Sequence, residues 1–95
     1  KGEGTLIASP EHSAQICLAG NPGMGSGGMG DTLTGILAAL ISQGQMHNLS
    51  AWDATRLGVE LHATAADTLV KANTGPIGLT ASEVALEVRR LLNKA

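Results

Sequence analysis

The sequence predicts a mixed α/β chain, one part of a larger α/β protein or a partner of another chain. Two short β-type runs come first and three helical patterns come last. Between them, Gly20 to Gly30 holds nearly half of the thirteen glycines.

Thr5–Ser9 and Ala14–Ala19 are apolar or β-branched runs separated by Pro10, Glu11, His12 and Ser13. That turn chemistry reads them as a hairpin or as two neighbouring strands. The glycine loop follows directly. Asp31 to Gln43 then places Leu33, Ile36, Leu37, Leu40 and Ile41 at helical spacing, with Gly44 at the expected C-terminus. Ser50 and Asp53 resemble a capping box that starts a second helix, which runs to about Ala72 before Asn73-Thr74-Gly75-Pro76 breaks it. Thr80 and Glu83 form a capping box for a third helix filled by Val84, Leu86, Val88, Leu91 and Leu92. Two strands make a poor sheet. The first helix is apolar on most of its surface, the pattern of a helix covered on several sides. The chain therefore reads as the C-terminal part of a larger α/β domain over residues 1–95.

Composition narrows the function classes. Six Lys and Arg against eight Asp and Glu give a net charge of −2, without a cationic block for nucleic acid or an anionic membrane. There is no Tyr or Phe and only Trp52, so base-stacking platforms are excluded. Cys17 is alone, which excludes a disulfide scaffold and a cysteine-rich zinc site. His12, His47 and His62 lack ligand spacing, so no protein-built metal site is expected. A cytoplasmic, reducing compartment suits this cysteine usage.

The chemistry is placed in Gly23-Met24-Gly25-Ser26-Gly27-Gly28-Met29-Gly30-Asp31. A glycine turn from a strand into a helix N-terminus presents backbone N–H groups with no side chains in the way, and the helix dipole adds positive potential there. Such a nest holds phosphate oxygens or developing negative charge. The pattern is neither a P-loop nor a dinucleotide fingerprint. Asp31 is read in two ways: as a cap or dipole partner, or as a base that takes a hydroxyl proton beside a phosphate cradle.

The segment GNPGMGSGGMGDTLTGILAALISQG resembles the ribokinase-like superfamily signature, a Gly-x-Gly-Asp at a helix start. Its Asn-Pro-Gly-Met lead-in and Gly-Gly-Met-Gly-Asp core resemble one branch, the ADP- or ATP-dependent NAD(P)H-hydrate dehydratases, more than the GAGD loops of sugar kinases. Lys1-Gly2-Glu3-Gly4-Thr5 is similar to that branch's KGxxT strand, Gly58 to Asp67 to its helix with a central His, and Gly78 to Glu83 to its GLLASDL segment. The likeness covers the whole chain but only about the last third of the family's domain.

The resemblance implies a ribokinase-like three-layer α/β/α domain that dehydrates NADHX and NADPHX at the expense of ADP or ATP, with Mg2+ carried in by the nucleotide. It implies nucleotide contacts at Lys1, Gly2, Glu3, Gly4, Thr5 and Gly30, and a hydrated-nicotinamide contact at Asp31. Together with the nest, the nucleotide-binding set is Lys1, Gly2, Glu3, Gly4, Thr5, Gly27, Gly28, Met29 and Gly30, and Asp31 is the catalytic, substrate-facing residue. The expected partners are an adenine nucleotide, hydrated NAD(P)H, the N-terminal part of the same domain and further copies of the chain in a homo-oligomer. The 95-residue piece alone is expected to be inactive. The rivals are a vitamin or sugar-alcohol kinase of the same fold and a non-catalytic nucleotide-binding module in which Asp31 is only a cap.

Other residues carry plainer expectations. Lys1 is either a phosphate contact or a solvated amine. His62 is read as helix packing or surface, with nucleotide proximity as its alternative. His12 and His47 are expected in solvated turns, Trp52, Met24 and Met29 as packing, and Cys17 as a buried, inert strand residue.

Overall fold

The computed structural model describes residues 5–25 and 27–94. Strands β1 (Leu6–Ser9) and β2 (His12–Ile16) pair antiparallel, with Leu6 opposite Ile16, Ile7 opposite Gln15 and Ser9 opposite His12. The connection is only Pro10-Glu11, shorter than the sequence suggests, and an irregularity between Ile7 and Ser9 absorbs the register. β2 consequently starts earlier and ends earlier than the apolar run Ala14–Ala19. Cys17 lies just past the strand, although its N–H still donates to the Thr5 carbonyl at 2.8 Å.

Ile7 turns inward, while Leu6 and Ile16 stand on the other side, 63% and 59% exposed, with Leu18 at 88%. Leu6 and Ile16 are cross-strand partners and so share one face, which nothing covers among the described residues; Leu18 lies two residues beyond the end of β2. A large apolar sheet face of this kind marks a surface that further structure buries.

A 3-10 turn over Pro22–Gly25 leads into helix α1 (Met29–Gly44), followed by α2 (Ala51–Lys71) and α3 (Ala81–Lys94). The caps operate as the sequence predicts. Ser50 Oγ accepts from the Asp53 N–H at 3.1 Å. At α3, Thr80 Oγ1 accepts from the Glu83 N–H at 3.3 Å and Glu83 Oε1 accepts from the Thr80 N–H at 3.0 Å. The α-helix ends at Gly44, where the sequence places its C-terminus, but Gly44 is not the left-handed cap. It stays helical, the chain continues through a 3-10 turn to His47, and Asn48 takes the left-handed conformation at φ 59°. What requires glycine at position 44 is crowding, because a Cβ there would lie 3.1 Å from Leu49 Cβ.

The core forms where α2 meets its neighbours. Ala54, Val59, Ala63, Ala65 and Ala66 of α2 are buried, as are Leu33 of α1, Val84 and Val88 of α3, and Leu79. Alanines on α2 let the other helices approach closely, so the glycine loop docks directly on this helix. His12 is exposed, as expected, but it opens β2 instead of lying in a turn, and it stacks on Trp52, ring centroids 4.1 Å apart and 2° from parallel. The hairpin is thereby joined to the first turn of α2. Cys17 is buried, and burial pushes its thiol pKa up, the state of an inert cysteine.

Candidate functional site

Helix α1 opens two residues before Asp31. Gly28 is its N-cap at φ 86°, a left-handed conformation that glycine adopts without penalty. The Gly28 carbonyl accepts the Thr32 N–H at 2.9 Å, which closes the first turn. Among the described residues, no side chain caps this end. Among the described residues, the N–H groups of Met29, Gly30 and Asp31 therefore have no acceptor, and they point out of a helix terminus with its positive potential intact.

The loop has an inner and an outer part. Met24 and Met29 are buried, in keeping with the packing role expected of them, and they pin both ends of the arch into the core. Gly25, Gly27 and Gly28 are exposed between them. A Cβ on Gly25 or Gly27 would meet nothing within 4 Å, and neither has a positive φ. No internal demand explains a glycine at these two positions. The free space on their outer side is what a ligand brought against the backbone needs.

Asp31 is exposed in the first turn of α1 and makes no hydrogen bond or ion pair among the described residues. It does not fold back to cap the helix, so its carboxylate is open to a ligand at the same end as the free amides. A Cβ on Gly28 would lie 3.4 Å from Ala81 Cβ. The N-termini of α1 and α3 thus meet at the loop.

Two residues that the sequence reading did not single out organise this geometry. Asp67, on α2, accepts from the Gly20 N–H at 2.9 Å and from Asn21 Nδ2 at 2.8 Å. Asn21 Oδ1 in turn accepts from the Gly23 N–H at 3.0 Å. A carboxylate directly after the buried pair Ala65-Ala66, and an Asn ahead of Pro22-Gly23, were the available signals.

Of the expected site residues, the structure brings Gly27, Gly28, Met29, Gly30 and Asp31 together at one helix end. Met29 contributes its backbone only, since its side chain is buried. Thr5 is half-buried at the start of β1 and is tied to Cys17 through its carbonyl. Lys1, Gly2, Glu3 and Gly4 lie outside the described residues. His62 is 1% exposed, and its Nε2 has no hydrogen-bond partner among the described residues. Burial pushes its pKa down, which keeps the imidazole neutral. No three His, Cys, Asp or Glu side chains converge among the described residues. No described helix is long and apolar enough to cross a membrane.

The family profile for NAD(P)H-hydrate dehydratase matches residues 1–90. The chain belongs to that family. It is 50% identical over 93 residues to the bifunctional NAD(P)H-hydrate repair enzyme of Vibrio cholerae, covering 98% of this chain and 18% of the relative. Identity to the Escherichia coli repair enzyme is 42% over 93 residues, covering 98% of this chain and 17% of the relative. The ADP-dependent (S)-NAD(P)H-hydrate dehydratase of Neisseria meningitidis is 36% identical over 94 residues, 99% of this chain and 30% of the relative. The chain thus spans only about a sixth to a third of the length of these relatives. No solved structure matches it significantly. The mixed α/β order of two strands, a glycine loop and three helices is the portion of this ribokinase-like family that the chain carries.

Proposed function

We propose that this chain is the C-terminal, nucleotide-binding part of a ribokinase-like domain that dehydrates hydrated NADH and NADPH using an adenine nucleotide, either ADP, as in the name of the Neisseria meningitidis relative, or ATP. The observation that carries the reading is the arch of Gly25, Gly27 and Gly28 over the uncapped N-terminus of α1, with the Asp31 carboxylate free beside it. The amides of Gly27, Gly28, Met29 and Gly30 and the helix dipole hold phosphate oxygens. Lys1, Gly2, Glu3, Gly4 and Thr5 line the nucleotide in the same proposal.

Asp31 faces the hydrated nicotinamide and takes the hydroxyl proton as that oxygen attacks the terminal phosphoryl group of the nucleotide and the phosphoanhydride bond breaks. The oxygen then leaves as phosphate while the neighbouring ring carbon gives up its proton to water, which restores the dihydronicotinamide. A carboxylate without a protein partner can take up and release that proton. Magnesium enters with the nucleotide, held by phosphate oxygens and water, and would screen phosphate charge. The uncovered face of Leu6, Ile16 and Leu18 receives the remainder of the domain, so activity belongs to the full-length protein, in the cytoplasm and as a homo-oligomer.

The test is recovery of NADH absorbance from hydrated NADH with magnesium and ADP or ATP, using the full-length protein. Nucleotide-dependent recovery is expected, and Asp31→Asn should slow it by more than about tenfold, ~1.4 kcal/mol of barrier. Turnover of Asp31→Asn within tenfold of wild type would remove Asp31 from the chemistry. A stable phosphate ester on an added alcohol, with no NADH recovered, would make the protein a kinase.

A further inference from the structure

The glycine loop is held by one side chain on a distant element. Asp67 lies on α2, 46 and 47 residues from the groups it binds, and both of its oxygens are occupied, one by the Gly20 N–H and the other by Asn21 Nδ2. Asn21 passes the connection on: its Oδ1 takes the Gly23 N–H at 3.0 Å and its carbonyl takes the Met24 N–H at 3.1 Å. Gly20 itself sits at φ 121°, which turns its N–H toward α2. Met24 follows directly, buried in the core. The loop's inner half is therefore fixed by four hydrogen bonds that converge on Asn21 and Asp67. Its outer half, Gly25, Gly27 and Gly28, has no such support.

We infer that Asp67, acting through Asn21, is a positioning residue that presets the loop for phosphate capture; this rests on the function proposed above. A loop rich in glycine samples many conformations unless something orders it, and a nest binds an anion tightly only when its N–H groups already converge. Asp67 supplies that order without facing the ligand. Its negative charge is spent on two N–H donors at the base of the loop, so it does not repel phosphate at the mouth.

The hydrogen-bond polarity gives a specific test on the full-length protein. Asp67→Asn leaves one oxygen for two donors, so an amide nitrogen faces either the Asn21 amide or the Gly20 N–H, donor to donor. Asn21→Asp sets carboxylate against carboxylate. The double exchange Asn21→Asp with Asp67→Asn restores the bond between positions 21 and 67 in reversed polarity, with an amide at 67 donating to a carboxylate at 21, and leaves an oxygen at each position for the Gly20 and Gly23 N–H groups. Amide exchange over residues 20–30 and ADP affinity in the presence of Mg2+ are measured for all four proteins. Each single variant is expected to speed loop exchange and weaken ADP by about tenfold or more, and the double exchange to recover most of both losses. Far-UV circular dichroism checks that the single variants fold. A residue needed only for folding would not produce this reciprocal rescue. Single variants within about twofold of wild type, or a double variant no better than the worse single one, would overturn the inference. If wild type binds neither ADP nor ATP, the nucleotide reading fails, and loop exchange in the four proteins decides the positioning role on its own.

Discussion

Adding one methyl group at Gly27 or at Gly28 separates what the backbone requires of the loop from what a ligand requires. Gly28 sits at φ 86°, and an L-residue in the left-handed region costs roughly 1–2 kcal/mol. The contact its Cβ would make with Ala81 Cβ, 3.4 Å, is ordinary and adds little. Gly28→Ala is therefore expected to lower unfolding free energy by about 1–2 kcal/mol. At Gly27 there is no positive φ and nothing within 4 Å. Gly27→Ala should then leave stability unchanged or raise it by up to about 1 kcal/mol, because alanine restricts the unfolded chain. The order reverses for binding. If the proposed phosphate site is right, the methyl at position 27 occupies space the phosphate needs, and Gly27→Ala should weaken ADP by at least about tenfold, ~1.4 kcal/mol, with the fold intact. Urea denaturation and nucleotide titration of both variants check this. Equal stability losses at the two positions would refute the backbone argument. Unchanged ADP affinity in Gly27→Ala would refute the claim that the loop's outer face is the phosphate site.

Two further predictions concern α2. His62 is neutral in the fold because burial lowers its pKa from the ordinary 6.5, so the unfolded chain binds the extra proton first. Stability should fall as pH drops below about 6.5, with a contribution of at most ~1.4 kcal/mol per pH unit from this group. His62→Leu should remove that part of the slope in denaturation curves at neutral and mildly acidic pH, and an unaltered slope would exclude His62 as its source. At Gly58, a Cβ would lie 2.5 Å from Leu37 Cδ2 and 3.3 Å from Leu40 Cδ1. Leu37 is only half-buried and can move, so Gly58→Ala gains about 1 kcal/mol of helix propensity against a similar packing cost. Gly58→Leu has no such outlet and should lose about 1–3 kcal/mol in the same denaturation assay.

Much of this was legible in the sequence, because the features concerned are local. Helix starts at Ser50 and Thr80 depend on a side chain three residues from the N–H it caps, and both caps form where the pattern places them. The glycine run leading into Asp31 placed a helix start there for the same reason, and α1 opens at Met29. The apolar runs gave two strands but not their limits, since β2 is bounded by its pairing with β1 and not by its own composition. Gly44 showed the same limit: its glycine character reflects Leu49 packed against it, and the left-handed turn went to Asn48.

Tertiary structure alone decided which groups meet across the chain. Nothing in the spacing of Asn21 and Asp67 says that an α2 carboxylate will bind the base of the loop, or that His12 will stack on Trp52. Those contacts depend on α2 lying beside both the hairpin and α1, which its small buried residues permit. Likewise, sequence shows that Gly25 and Gly27 are glycines, but only the fold shows that no neighbour requires them to be. A local pattern can place a helix end and its dipole; whether the space in front of it is filled or open depends on residues far away in sequence.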